Sequence, residues 1–303
     1  MLDGVVTSGT GEAPSGASYL SPPMDADEFQ SLYINVLNVT HDEIWRNIER
    51  AILSGLPVLP IRDKPNGLSA VVVGGGPSLA CEEMPGSWIE VRGRQNGGAV
   101  VYALNGAGKF LVDRGVVPDA LVILDARPDN AFFIEGIPTT TKLYLASQCH
   151  PVVFDVAKDH DVMVWHPGYG HDLGRKLEEL ERRPCTLIGG GNSVGPAALA
   201  LTVALGHRRI ACYGLDSSYE MDATGNPVRG HAYPQPLNDG ERTQAIRVNG
   251  RRFILAPWMA RQVTEFRSAA QAFANDMGCE ITVHGDGALP EAMKAEFGVV
   301  EAV

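Results

Sequence analysis

The sequence predicts an α/β protein built on a doubly wound, mostly parallel β-sheet. Three observations carry this. From Leu68 to about Leu215, short apolar runs alternate with helical stretches. The runs are apolar at every position, as in Leu121-Val-Ile-Leu124, the pattern of strands covered on both faces. The first run, Ser69–Val73, passes directly into Gly74-Gly75-Gly76-Pro77-Ser78-Leu79, a strand-to-helix turn in which glycine permits a close backbone approach and proline presets the first helical φ.

The elements follow in order. Residues 1–25 are rich in Gly, Ser, Pro and Thr and read as a disordered tail. Residues 26–67 read as a helical extension and linker. There Thr40-His-Asp-Glu43 is a capping-box pattern, and Ile44, Trp45, Ile48, Ile52 and Leu53 follow at helical spacing. The core domain spans 68–216, with strands at 69–73, 99–104, 120–124, 142–146, 161–165, 185–188 and 209–213. Its helices include Gly106–Arg114, Pro151–Lys158, Leu173–Arg182 and Val194–Leu205. Residues 217–303 hold a polar, Gly/Pro-rich segment to 257 with no clear period, read as a lid, then C-terminal helices packing on the core. Pro257–Met277 is helical, Glu280–Val283 a short strand and Leu289–Phe297 a last helix.

Composition narrows the function. A net charge of -11 argues against nucleic acid as a partner. Five scattered cysteines without a CxxC pair exclude a zinc ribbon and a disulfide framework, which fits a reducing cytoplasm. No run of 18 apolar residues predicts a membrane span, and no basic segment leads into an apolar core as in a signal peptide. The expected partners are a small-molecule nucleotide and an acceptor.

The candidate site residues cluster at strand C-termini, where open α/β sheets bind ligands. Gly74, Gly75, Gly76, Pro77 and Ser78 begin a helix whose free N–H groups suit a phosphate; the plain alternative is a tight turn. The loop is neither a Walker A sequence, lacking Lys-Ser/Thr, nor a full dinucleotide fingerprint, having Leu79 where glycine is required. Asn105 either caps a helix or bonds a base, ribose or phosphate. Asp119 starts a strand and reads as structural. Asp125 ends that strand and either caps the next segment or, with Asp216 at the end of 209–213, holds Mg²⁺ on substrate phosphates. Gly190, Gly191, Asn192 and Ser193 form a second glycine-rich helix start. His150 and His166 follow strands and read chiefly as loop histidines. His231, in the lid, is either a surface histidine or a general base that swings in.

The ordered set Val72 to Leu79, Leu104-Asn105, Pro118-Asp119 through Asp125, Gly190 to Gly195 and Gly214-Leu215-Asp216 resembles one family. That family is the domain shared by archaeal 6-hydroxymethylpterin diphosphokinases (MptE-like) and bacterial motility accessory factor (Maf) proteins. Trp45-Arg-Asn47-Ile48 looks like the segment that precedes this domain. The resemblance implies a Rossmann-like fold similar to that of bacterial sialyltransferases. It also implies one of two chemistries: pyrophosphoryl transfer from ATP to a pterin alcohol with Mg²⁺, or nonulosonic sugar transfer from a CMP-activated donor. It places Gly75 to Ser78 at the donor nucleotide with Asn105 and Asp125 beside it, and Gly191 to Ser193 at the transferred group. His231 matches the downstream base of the sialyltransferase pattern. The leading expectation is a diphosphokinase-like transferase with Asp125 and Asp216 as magnesium ligands. A metal-independent glycosyltransferase and a non-catalytic nucleotide-binding module are the alternatives.

Overall fold

A computed structural model describes residues 39–60, 62, 64–83, 86–168, 177, 179–180, 186–189, 193–233, 243–294 and 300–302. The tail at 1–25, most of the helix expected at Leu173–Arg182, and Gly190, Gly191 and Asn192 lie outside the described residues. The main sheet has eight strands: β1 Ser69–Val73, β2 Val100–Leu104, β3 Ala120–Ile123, β4 Lys142–Ala146, β5 Val162–Pro167, β6 Leu187–Ile188, β7 Arg209–Tyr213 and, beyond two hairpins, β12 Glu280–His284. The spatial order is β12-β7-β1-β2-β3-β4-β5-β6, and every neighbouring pair is parallel. The chain steps outward from β1 to β6 and returns to the other side of β1 with β7. Right-handed crossovers therefore put the outward helices on one face and the returning ones on the other.

On the outward face lie α2 Trp88–Asn96 and α3 Ala107–Val112; on the return face lies α5 Val194–Ala204, with α6 Pro257–Met277 packed on it. The core strands are sealed: Val71, Val72, Val73, Leu121, Val122, Ile123, Leu143 and Leu145 are all fully buried. α5 is buried on nearly all sides, as its continuously apolar sequence requires. α6 ends at Gly278 in the left-handed conformation, a glycine C-cap.

The extension helix α1 His41–Leu53 begins with the expected capping box. Thr40 accepts from the Glu43 N–H, and the Glu43 carboxylate accepts from the Thr40 N–H at 3.0 Å. Its Ile44, Ile48 and Ala51 are buried, and Asn47 donates to the carbonyls of Ala126 and Gln148, tying the helix across the ends of β3 and β4. α4 Pro151–Val156 follows β4, and a last helix, α7 Ala288–Met293, follows β12.

Two expectations change. The helix expected after Gly76 is a single 3₁₀ turn, Pro77–Ala80. The segment read as an aperiodic lid contains two hairpins, β8 Glu220–Met221 with β9 Pro227–Arg229, and β10 Gln244–Val248 with β11 Arg251–Leu255. The second turns on Asn249 and Gly250, both at positive φ, the geometry of a two-residue type I′ turn. β13 Val300–Ala302 adds a third strand to it. No helix among the described residues is long and apolar enough to cross a membrane.

Candidate functional site

The order of the strands fixes the site. β7 lies beside β1, so the loops after both strands meet at the point where the winding reverses. Gly74 donates to Tyr213 O at 2.8 Å and Gly76 to Gly214 O at 2.7 Å. A Cβ on Gly74 would lie 2.5 Å from Gly214 O, and one on Gly76 would run into the Asp216 carboxylate. Gly74 and Gly76 therefore let two backbones touch. Gly75 is different, since a Cβ there would meet only His231 Nδ1, at 3.8 Å.

The loop's N–H groups are directed into the protein. The Ser78 N–H donates to Asp216 Oδ2 at 2.8 Å, Leu79 donates to Gly76 O, and Pro77 has no N–H. A cradle of successive amides for phosphate, expected from Gly74 to Ser78, is thus already occupied by protein acceptors; the Gly75 amide is the exception in this stretch.

Asp216 is the acceptor that makes the turn, with 3% of its surface exposed. Gly285 and Gly287 close over it from the segment after β12: a Cβ on Gly285 would lie 2.8 Å from Oδ1. Burial pushes the carboxyl up to about 6, with hydrogen bonds from Ser78 opposing the rise and the Asp286 charge adding to it. Asp125 sits at the end of β3, where its Oδ1 accepts from the Arg127 N–H at 3.0 Å and its Oδ2 pairs with the Arg127 guanidinium at 3.1 Å. β3 and β7 are three strand spacings apart, roughly 14 Å at about 4.8 Å each. The two aspartates thus follow strands that are not neighbours, an arrangement that does not favour one shared magnesium ion. Among the described residues no three His, Cys, Asp or Glu side chains converge.

What this edge does carry is a series of buried polar atoms with no hydrogen-bond partner among the described residues: Asn105 Oδ1, Ser147 Oγ, Ser193 Oγ and Ser217 Oγ. Buried polar atoms rarely stand alone in folded proteins, so these ask for a ligand or water. Asn105 at φ 47° and Ser217 at φ 51° are also held in the left-handed region, a strain that clusters at functional sites. Ser147 and Ser217 escaped the sequence reading, because strand-end serines carry no pattern; their position after β4 and β7 was the available signal.

The segment after β9 crosses this edge. Ala232 donates to Gly75 O at 2.7 Å, which sets His231 over the first glycine loop. Tyr233 meets the Phe132 ring at 6.2 Å between centroids, and the Lys109 ammonium lies 3.3 Å from the centre of the same ring. Of the other polar candidates, Asp119 is structural as expected, accepting from the Val101 N–H at 2.8 Å. His150 is the N-cap of α4, accepting from the Val152 N–H through Nδ1. His166 is buried within β5.

Fold and site define a Rossmann-like α/β protein whose first glycine loop, at the C-terminal edge of the sheet, is crossed by residues 231–233. Residues 44–222 match the family described as 6-hydroxymethylpterin diphosphokinase MptE-like, and the chain belongs to that family. The structure of the MAf glycosyltransferase from Magnetospirillum magneticum AMB-1 is similar, with a TM-score of 0.60 at 16% identity. The match covers 86% of this chain and 39% of that one, so this chain spans about two fifths of that protein's length. At this identity the likeness establishes the fold. No curated protein matches the chain.

Proposed function

We propose that this chain is a nucleotide-dependent transferase that moves a sugar from a nucleoside monophosphate donor such as a CMP-sugar, with His231 as general base. The observation that carries the reading is the bond of Ala232 to Gly75 O, which sets His231 at the end of β1, the strand next to β2 and Asn105, whose buried Oδ1 has no partner among the described residues. The descriptions of the family and of the similar structure are both those of transferases. His231 takes the proton of the acceptor hydroxyl, and the freed oxygen bonds to the anomeric carbon. The carbon–oxygen bond to phosphate breaks, and its electron pair leaves with the nucleoside monophosphate. Asn105, Ser193 and Ser217 hold donor and acceptor by hydrogen bonds.

The family description favours a second reading, pyrophosphoryl transfer from ATP. The placement of Asp125 and Asp216 after strands that are not neighbours argues against the shared-ion arrangement expected for it. Thermal-shift titrations with CMP, CTP and ATP, each with magnesium or EDTA, separate the two. Stabilisation by CMP that persists in EDTA supports sugar transfer. Stabilisation by ATP alone, and only with magnesium, overturns it in favour of the diphosphokinase. Nucleotide binding without turnover on any acceptor assigns a non-catalytic module.

A further inference from the structure

A cavity lies apart from the first glycine loop, between α1 and the ends of β3 and β4, with a volume of about 350 Å³. That is within the range of small-molecule sites, roughly 300–1,000 Å³, and too small for a macromolecular segment. α1 lines it with Glu43, Arg46, Asn47 and Arg50. These positions recur at i, i+3, i+4 and i+7, one face of a helix. The neighbouring Ile44, Ile48 and Ala51 are buried, so the helix is anchored by its apolar face while this polar stripe borders open space. The sheet side contributes Arg127 and His150.

Charge selects the ligand. The Arg127 guanidinium is engaged by Asp125 and Asp129, and the Glu43 carboxylate is held in the capping box by Thr40. Arg46 and Arg50 form no ion pair within 4 Å among the described residues, although the Arg46 charge helps to lower the Glu43 carboxyl. They stand four residues apart, where like charges on a helix repel. His150 accepts at Nδ1 from the Val152 N–H, so its neutral ring carries the proton on Nε2 and presents a donor there. The wall is also fixed in advance, because Asn47 bonds the carbonyls of Ala126 and Gln148 while Gln148 donates to Leu124 O. Two guanidiniums without an ion pair among the described residues and an imidazole N–H beside a rigid wall, in a chain of net charge -11, match a compact oxyanion.

We propose that this cavity is a second ligand site, taking a small molecule through a phosphate or carboxylate group. It opens at the end of β3, two strand spacings or roughly 10 Å from the β1 end where Gly75 and His231 stand, and it does not depend on the transferase reading.

Calorimetric titration of the full chain at low ionic strength tests it, with inorganic phosphate in one arm and malonate in the other. At least one anion should bind, and the preferred arm identifies the group. The variant R46Q/R50Q should weaken binding about tenfold or more, since charge-assisted hydrogen bonds are lost. Both side chains are exposed, so the fold should survive, and an unchanged circular dichroism spectrum verifies it. R92Q, which removes an exposed charge from α2, should leave the titration as it was. Failure of both anions to bind, full binding by R46Q/R50Q, or equal weakening by R92Q overturns the proposal. His231→Ala should not change the titration, so its outcome is separate from that of the cleft.

Discussion

Replacing Asp216 by asparagine should remove a pH-dependent penalty from the fold. The carboxyl is 3% exposed and rises from its ordinary 3.8 to about 6, chiefly through burial. Below about pH 4 it is neutral in both the folded and the unfolded chain. Between about pH 4 and about pH 6 the unfolded chain releases the proton while the folded chain retains it, so stability falls. Above about pH 6 both forms are ionised and the loss levels off. A rise of about two units at 1.36 kcal/mol per unit makes the total loss about 3 kcal/mol. Burial this complete leaves little solvent screening to reduce it. Asparagine keeps an oxygen to accept from the Ser78 N–H but has no proton to lose. Urea unfolding of both proteins from pH 4 to pH 8 gives a difference curve free of the other titrating groups. The wild type should lose up to about 3 kcal/mol relative to Asp216→Asn, most of it before pH 7. A flat difference curve would refute the reasoning, because it would mean that Asp216 meets solvent or a fixed countercharge.

Four further outcomes follow from the geometry. His231→Ala should cut turnover by about 10²- to 10⁴-fold while nucleotide-induced stabilisation persists, since the Ala232 to Gly75 bond is backbone; unchanged turnover removes the histidine from the chemistry. Gly76→Ala should destabilise by about 1–3 kcal/mol in urea melts by pressing on Asp216 and Gly214, whereas Gly75→Ala should be nearly neutral. Asn47→Ala should cost about 1–3 kcal/mol through the unpaired Ala126 and Gln148 carbonyls, and hydrogen exchange in α1 should accelerate before that of the sheet. Asn249→Ala should lose about 1–2 kcal/mol, because alanine resists the φ of 49° and cannot bond Glu291 O, read as a lower urea midpoint.

The core strands were legible because each is a closed apolar run. Ser69–Val73, 142–146 and 209–213 fall where expected, and the other core strands lie at or within the expected runs to two residues. The capping box was legible for the same local reason. The second hairpin was also written in the chain, as Asn249-Gly250 between two five-residue segments, but surrounding polar residues and prolines concealed its period. The carboxylate pair was not legible, because strand order is a long-range property. Nothing near Asp216 states that β7 inserts beside β1, far from β3. The amides of the first loop were misjudged for a related reason: their acceptors, Tyr213 O, Gly214 O and Asp216, lie about 140 residues away.

The closing of Gly285 and Gly287 over Asp216 has a consequence for synthesis. The strands that form most of the sheet emerge early, yet the wall around Asp216 is completed by residues near the end of the chain, and α7 then grips the same loop through the Leu289 N–H to Asp216 O bond. A nascent chain stalled before residue 280 would carry β7 with an open edge and Asp216 without the cover of Gly285 and Gly287. The surroundings of Asp216 are therefore completed by residues 285–289, about 70 positions after the aspartate and about 210 after the glycine loop that first marks the site.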